Sequence, residues 1–298
     1  MTQLSMTLPS PDEILELWRE ALPERMPQAR GLVERLTNSA ELLWQREGKT
    51  LVAVAAFRAP ETHPYGYVRL LLVHPQWQRR GLGRKLVAEI RERLGPVPLS
   101  LGEERGHFFS GAVPASVPFW EAAGFRRTGG ESVDMRCDLR PLNFEALPAG
   151  FRLSSGAAQG ALEGVFGLTE AVFSPRWTFD AQRVAARAPQ QVLALWQGER
   201  VVGFALTGRQ DDPAVLPSFL YPEALAAGFG SVRVGGLGPV GLHPDWRGGG
   251  LGRALMLGAM DHLRQRGVEI MGIDWTGIAP FYEKLGFSEW ARNVHMRG

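Results

Sequence analysis

Two short glycine-rich stretches carry the clearest chemistry in this 298-residue chain: Gln78-Arg-Arg-Gly-Leu-Gly83 and Arg247-Gly-Gly-Gly-Leu-Gly252. Both fit Gln/Arg-x-x-Gly-x-Gly, and each stands between an apolar strand-like run and an amphipathic helical run. Glycine lets the backbone turn with successive N–H groups pointing into one concavity, and the start of the next helix adds roughly half a positive charge. Such a loop binds an anion, and its size suits a diphosphate. Arg84 and Arg253 open the two helices and bring charge in from the side. Rival phosphate loops fail on spacing. Gly48-Lys49-Thr50 imitates the end of a Walker loop, yet Leu43 stands where the first glycine belongs. No Gly-x-Gly-x-x-Gly with dinucleotide spacing surrounds Gly81 or Gly250.

The loops belong to a longer repeat. His74-Pro-Gln-Trp-Gln-Arg-Arg-Gly-Leu-Gly-Arg-Lys-Leu86 returns as His243-Pro-Asp-Trp-Arg-Gly-Gly-Gly-Leu-Gly-Arg-Ala-Leu255, 169 positions later. Pro118-Phe-Trp-Glu-Ala-Ala-Gly-Phe125 returns as Pro280-Phe-Tyr-Glu-Lys-Leu-Gly-Phe287, 162 positions later, so the intervening segment is seven residues shorter in the second copy. Leu43-Trp-Gln-Arg-Glu and Leu195-Trp-Gln-Gly-Glu form a third, earlier pair. Three blocks in one order mean duplication. The seam is expected in Arg140–Gly150, which holds Pro141, Pro148 and Gly150. This divides the chain into an N-terminal domain over 1–140 and a C-terminal domain over 150–298.

The elements that must hold the loops follow from periodicity. Pro11-Asp-Glu-Ile begins a helix with acidic residues in its first turn. Leu51–Phe57 and Tyr67–Val73 read as buried strands. Leu82, Leu86, Ile90 and Leu94 form the apolar stripe of a helix, as do Leu251, Leu255, Ala259 and Leu263. Val133, Met135, Cys137 and Leu139 alternate with polar residues as a half-buried strand, which makes the single cysteine a small core residue. The fold class is α/β: two tandem domains, each a mixed sheet flanked by helices.

A strand ending in His-Pro, the glycine loop, a helix, and then Phe-Tyr-Glu-Lys-Leu-Gly-Phe287 resemble the GNAT superfamily of acyl-CoA N-acyltransferases. The resemblance covers both halves, and the tandem layout is similar to that of the mycothiol synthases. It implies a mostly antiparallel sheet in each domain and acetyl-CoA as cosubstrate in a cleft between splayed parallel strands. The pantetheine arm would pair with backbone at Leu71, Leu72 and Val73, and at Val240, Gly241 and Leu242. The diphosphate would sit on Arg79, Arg80, Gly81, Leu82, Gly83 and Arg84, and on Gly248, Gly249, Gly250, Leu251, Gly252 and Arg253. It also implies direct attack of a neutral amine on the thioester, with a tyrosine four residues before the glycine of Gly-Phe acting as acid. Tyr282 holds that position; Trp120 stands there in the first copy. The expectation is therefore a catalytic C-terminal domain and an N-terminal domain that binds CoA or supports the fold. The strands before the loops, Tyr67–Val73 and Val234–Leu242, lack the carboxylate that many relatives use as base. The base stays open, with a water chain or Asp274 as alternatives. His74 and His243 read as structural residues at strand ends. His107–Phe109 and Phe219–Tyr221 either line an acceptor cleft or pack as ordinary loop aromatics.

Composition sets the outer limits. With 33 Lys and Arg against 31 Asp and Glu, the net charge of +2 argues against nucleic acid or an anionic membrane as partner, and against an aminoacyl transferase that needs a broad basic face. One cysteine excludes an internal disulfide and a cysteine-rich metal site, and no metal is expected. The start of the chain lacks a signal-peptide pattern and no apolar run reaches the roughly 18 residues of a membrane helix, so a cytoplasmic location is expected. The implied partners are acetyl-CoA and an amine acceptor, in a monomer whose halves form a pseudo-dimer. The alternative function is a non-catalytic acyl-CoA sensor.

Overall fold

Ser10 starts the first helix through a reciprocal cap: its Oγ accepts from the Glu13 amide at 3.3 Å, and its own amide donates to the Glu13 carboxylate at 2.8 Å. The computed structural model describes residues 7–23, 30–60, 64–101, 111–212, 216, 218 and 222–298. The first half runs α1 Pro11–Ala21, α2 Arg30–Asn38, β1 Glu41–Glu47, β2 Thr50–Arg58, β3 Gly66–Val73, α3 Leu82–Leu94, β4 Leu99–Leu101, α4 Val117–Ala122 and β5 Arg126–Asp138. The second runs β6 Phe151–Ser155, α5 Ala161–Val172, α6 Pro175–Ala185, β7 Val192–Gln197, β8 Arg200–Arg209, α7 Pro222–Ala226, β9 Val234–Leu242, α8 Leu251–Gln265, β10 Ile270–Thr276, α9 Ala279–Glu283 and β11 Ser288–Arg297.

Two compact units result. Unit 1 ends at Ser132 but also takes Arg292–Gly298; unit 2 is Val133–Ala291. In unit 1, β1, β2 and β3 are antiparallel, β3 and β4 are parallel, and β4 pairs antiparallel with the end of β11 through Leu101↔Met296 and Ser100↔Arg297. In unit 2, β6 to β9 are antiparallel, β9 and β10 are parallel, and β10 pairs antiparallel with the end of β5 through Ile270↔Asp138 to Thr276↔Val133. Each sheet is thus mixed and mostly antiparallel, with helices packed on it.

This division differs from the 1–140 and 150–298 split expected from the repeat. The end of the last strand of each copy, from Val133 in β5 and from Arg292 in β11, groups with the other unit. The alternation in β5 is as the sequence suggests, but Val133, Met135 and Cys137 bury themselves in the core of unit 2. Val294 and Met296 of β11 do the same in unit 1. The stretch expected to hold the seam is packed: Leu142, Phe144 and Leu147 lie against the unit 2 core.

The central strands and the helix after each loop supply most of the burial. Residues 51–57 of β2 and 201–208 of β8 are all buried. Leu86, Val87 and Ile90 of α3, and Leu251, Leu255, Ala259 and Leu263 of α8, are buried against their sheets. Each such Leu, Val or Ile contributes about 1.5–3 kcal/mol, which fixes the helix, and hence its N-terminus, to the strand end. Cys137 is 2% exposed, and burial pushes its thiol up to about 12, which suits a packing residue. Among the described residues no helix is long and apolar enough to cross a membrane.

Candidate functional site

In both units the same devices build the loop. After β3, His74 caps a single 3-10 turn over Pro75–Trp77, its Nδ1 accepting from the Gln76 amide at 3.2 Å. After β9, His243 does the same for Pro244–Trp246, accepting from Asp245 at 3.3 Å. The other imidazole nitrogens lie 2.7 Å from Glu20 Oε2 and 3.2 Å from Arg200 Nη2. Both histidines are therefore turn caps. The first motif residue then ties the loop back to the strand: Gln78 Nε2 donates to the Val73 carbonyl at 3.0 Å, and Arg247 Nε to the Leu242 carbonyl at 3.1 Å. Gln and Arg both reach five residues back with an N–H donor, which explains why either serves.

Two left-handed turns follow. Arg79 and Gly248 have φ of 59° and 87°, and Gly81 and Gly250 have φ of 84° and 80°. Arg79 carries there a strain of about 1–2 kcal/mol that glycine avoids. Gly81 and Gly250 are the N-caps of α3 and α8, and neither helix start has a side-chain cap. The first helical bonds run from Lys85 and Ala254 back to Gly81 and Gly250. The amides of Leu82, Gly83 and Arg84, and of Leu251, Gly252 and Arg253, thus sit at an open, positively polarised helix end. Gly83 has a second role: a Cβ there would lie 2.9 Å from the Phe119 ring, so glycine lets α4 close on α3.

The parallel strands of unit 2 splay beside the loop: β9 pairs with β10 as far as Leu237↔Ile273 yet continues to Leu242. In unit 1, β3 pairs with β4 as far as Leu101, the last described residue before 111, and runs on to Val73. On their other side, Leu71, Leu72 and Val73 pair with β2, and Val240, Gly241 and Leu242 with β8. One edge of the β9 segment therefore faces an opening between strands. In unit 1 a cavity of about 890 Å³ brings together Leu71, Leu72, Val73, Arg79, Gly81, Leu82, Gly83 and Arg84 with Phe119 and Trp120. Arg80 is not in its wall; its guanidinium lies 4.6 Å over the Trp77 ring. In unit 2, Arg253 is held by Glu145 at 2.7 and 3.3 Å.

Trp120 and Tyr282 occupy matching aromatic trios. Trp120 stands edge-on to Phe119 and Phe125, both at 5.0 Å. Tyr282 stands edge-on to Phe281 at 5.1 Å and Phe287 at 5.7 Å. The packing is conserved between copies while the polar atom changes. Trp120 Nε1 donates to Ser116 Oγ at 3.1 Å, within its own helical segment. The Tyr282 phenol is pushed up to about 12, first by burial and then by the negative charge of Asp274.

Comparison with known proteins agrees with this architecture. The acetyltransferase (GNAT) domain matches residues 9–145, and the acetyltransferase (GNAT) family matches residues 163–287. The mycothiol acetyltransferase of Thermobispora bispora is 30% identical over 273 residues, which span 87% of this chain and 84% of its own. The chain belongs to the GNAT acetyltransferase family. A second mycothiol acetyltransferase, from Saccharomonospora viridis, is 31% identical over 73% of this chain and 69% of its own. Among solved structures, a GCN5-related glucosamine N-acetyltransferase region of a fungal β-N-acetylglucosaminidase gives a TM-score of 0.81 at 18% identity, covering 97% of this chain and 37% of that one. A tandem GNAT protein from the clavulanic acid pathway gives 0.67 at 19% identity, covering 97% and 94%. At these identities the structures speak for the fold alone.

Within this GNAT pair, the two loops share geometry but differ in charge. Arg79, Arg80 and Arg84 stand in the first; in the second, Gly248 and Gly249 replace the first two, and Arg253 is engaged by Glu145. Removing that competitor should therefore favour an anion. In Glu145→Gln, CoA affinity at the second loop is expected to rise about two- to fivefold at low salt and to lose the gain as salt screens the pair. Calorimetry in a Gly81→Glu background reads this; unchanged affinity would show that Arg253 does not reach the phosphates. Among the described residues no group of three or more His, Cys, Asp or Glu could hold a metal. His107–Phe109 and Phe219–Tyr221 lie outside the described residues. The sequence reading missed the Gln78 and Arg247 braces, for which the Gln/Arg interchange in the motif was the available signal.

Proposed function

We propose that the protein transfers an acetyl group from acetyl-CoA to the primary amine of a small molecule or peptide, with chemistry in unit 2 and CoA held in both units. The observation that carries this reading is the contrast between the copies: both keep the braced loop and the uncapped helix start, while only unit 2 has a phenol in the aromatic trio. The loop amides of Gly81–Arg84 and Gly250–Arg253 would hold the diphosphate, and the open strand edges at Leu71–Val73 and Val240–Leu242 the pantetheine arm. The acceptor nitrogen attacks the thioester carbonyl directly, a strand amide stabilises the oxyanion, and Tyr282 gives its proton to the departing sulfur. The acceptor of the mycothiol acetyltransferases is the first to try, since those relatives match across both copies. The test is release of free CoA from acetyl-CoA with that acceptor and a panel of primary amines. Binding of acetyl-CoA without release for any amine would favour a sensor.

A further inference from the structure

We propose that Asp274 takes the proton from the acceptor's ammonium group in unit 2, an inference that rests on the acetyl-transfer reading above. β9 holds no carboxylate along its length, so a side-chain base would come from another element. The last ladder pair between the parallel strands is Leu237↔Ile273, which makes Gly238 and Asp274 the first residues past it, facing each other at the apex of the splay. Asp274 Oδ1 lies 3.5 Å from where a Cβ on Gly238 would stand. The carboxylate therefore reaches across the gap to the opposite strand, and Gly238 leaves room for it. Gly238 has φ of 140°, a conformation that L side chains avoid, so the apex keeps its glycine for backbone reasons as well.

Burial, and after it the negative charge of Asp274, raises the Tyr282 phenol, which stays protonated. Asp134 on β5 accepts from the Trp275 amide at 3.0 Å and fixes the strand just past Asp274. Arg176 on α6 stands 4.6 Å over the Trp275 ring and brings a positive charge to that side. In unit 1 the β3 residue that matches Gly238 is Arg69, whose guanidinium donates to Ser39 at 2.6 and 3.0 Å.

The step balances without a further reactant. The ammonium passes one proton to Asp274, and the nitrogen lone pair forms the C–N bond. As the tetrahedral intermediate collapses, the C–S bond breaks and the sulfur takes the Tyr282 proton. The proton shed by the new amide nitrogen restores the phenol, and Asp274 releases its own to solvent.

Asp274→Asn is the test, assayed with acetyl-CoA and a fixed panel of an amino sugar, an aminoacyl ester and a polyamine. Turnover near pH 7 is expected to fall at least tenfold while calorimetric CoA affinity stays unchanged. With the carboxylate present, kcat/KM should be nearly flat with pH below the amine's own pKa. Without it, only amine that arrives neutral reacts, so kcat/KM should rise about tenfold per pH unit. Asp274→Glu should recover part of the flat profile. A wild-type slope retained in Asp274→Asn, with Tyr282→Phe still impaired, would overturn the role of Asp274 and leave the reading of unit 2 standing. No turnover of any panel amine by the wild type would remove both.

Discussion

Replacing Tyr282 by Phe should lower turnover at least tenfold, within the 10²–10⁴-fold range typical of a lost general acid, with the KM for acetyl-CoA almost unchanged. The ring keeps its contacts with Phe281 and Phe287, so the variant removes one oxygen from an otherwise intact trio. The raised phenol sharpens the expectation. At about 12 it stays protonated through any practical assay, so an alkaline fall in rate below that pH belongs to another group. It also stands above an ordinary thiol at about 8.5. Complete transfer to a free thiolate is therefore uphill, and the proton must move as the C–S bond breaks and the amine's proton replaces it. Trp120→Phe is the control. It removes the bond to Ser116 and part of a packed ring, at about 1–3 kcal/mol of stability, and should leave turnover near the wild-type value. Equal losses from both variants, measured by steady-state kinetics with melting curves alongside, would mean that the two units share the chemistry.

Gly250→Glu should weaken acetyl-CoA binding at the second loop by at least tenfold, and Gly81→Glu should do the same at the first. Both glycines have left-handed backbone, where a side chain costs about 1–2 kcal/mol. A Cβ at either position meets nothing within 4 Å, so the new side chain would fold into the open side of the loop. Its carboxylate would stand at a helix start that otherwise attracts an anion. Calorimetry should count two CoA per chain in the wild type, one in each single variant and none in the double. Two tight sites surviving in the double variant would defeat the diphosphate assignment.

Much of this was legible because it is local. The left-handed glycines, the helix stripes of α3 and α8 and the buried β2 depend on residues within one or two turns of themselves, and periodicity reports them directly. The duplication was visible because both copies keep the loop and the aromatic trio in one order. Arg79 shows where local reasoning stops: nothing in its side chain announces a left-handed backbone, which the turn imposes. Asp274 could be named only as one alternative, because its place at the apex depends on β9–β10 register, a property of two strands more than thirty residues apart.

Sequence alone determined that the chain is a duplication, where its two glycine loops lie and that Tyr282 and Trp120 break the symmetry, since each follows from residue type at fixed spacing; the GNAT family came from a resemblance carried by those same blocks. Tertiary structure alone decided which sheet each last strand joins. The alternation of Val133, Met135 and Cys137 says that one face is buried but not against what. Ladder pairs with β10 put that face in the core of unit 2, while Met296 and Arg297 pair with β4 in unit 1. A strand's hydrogen bonds are nonspecific in sequence, so the sheet it completes is chosen by the core that its apolar face can fill.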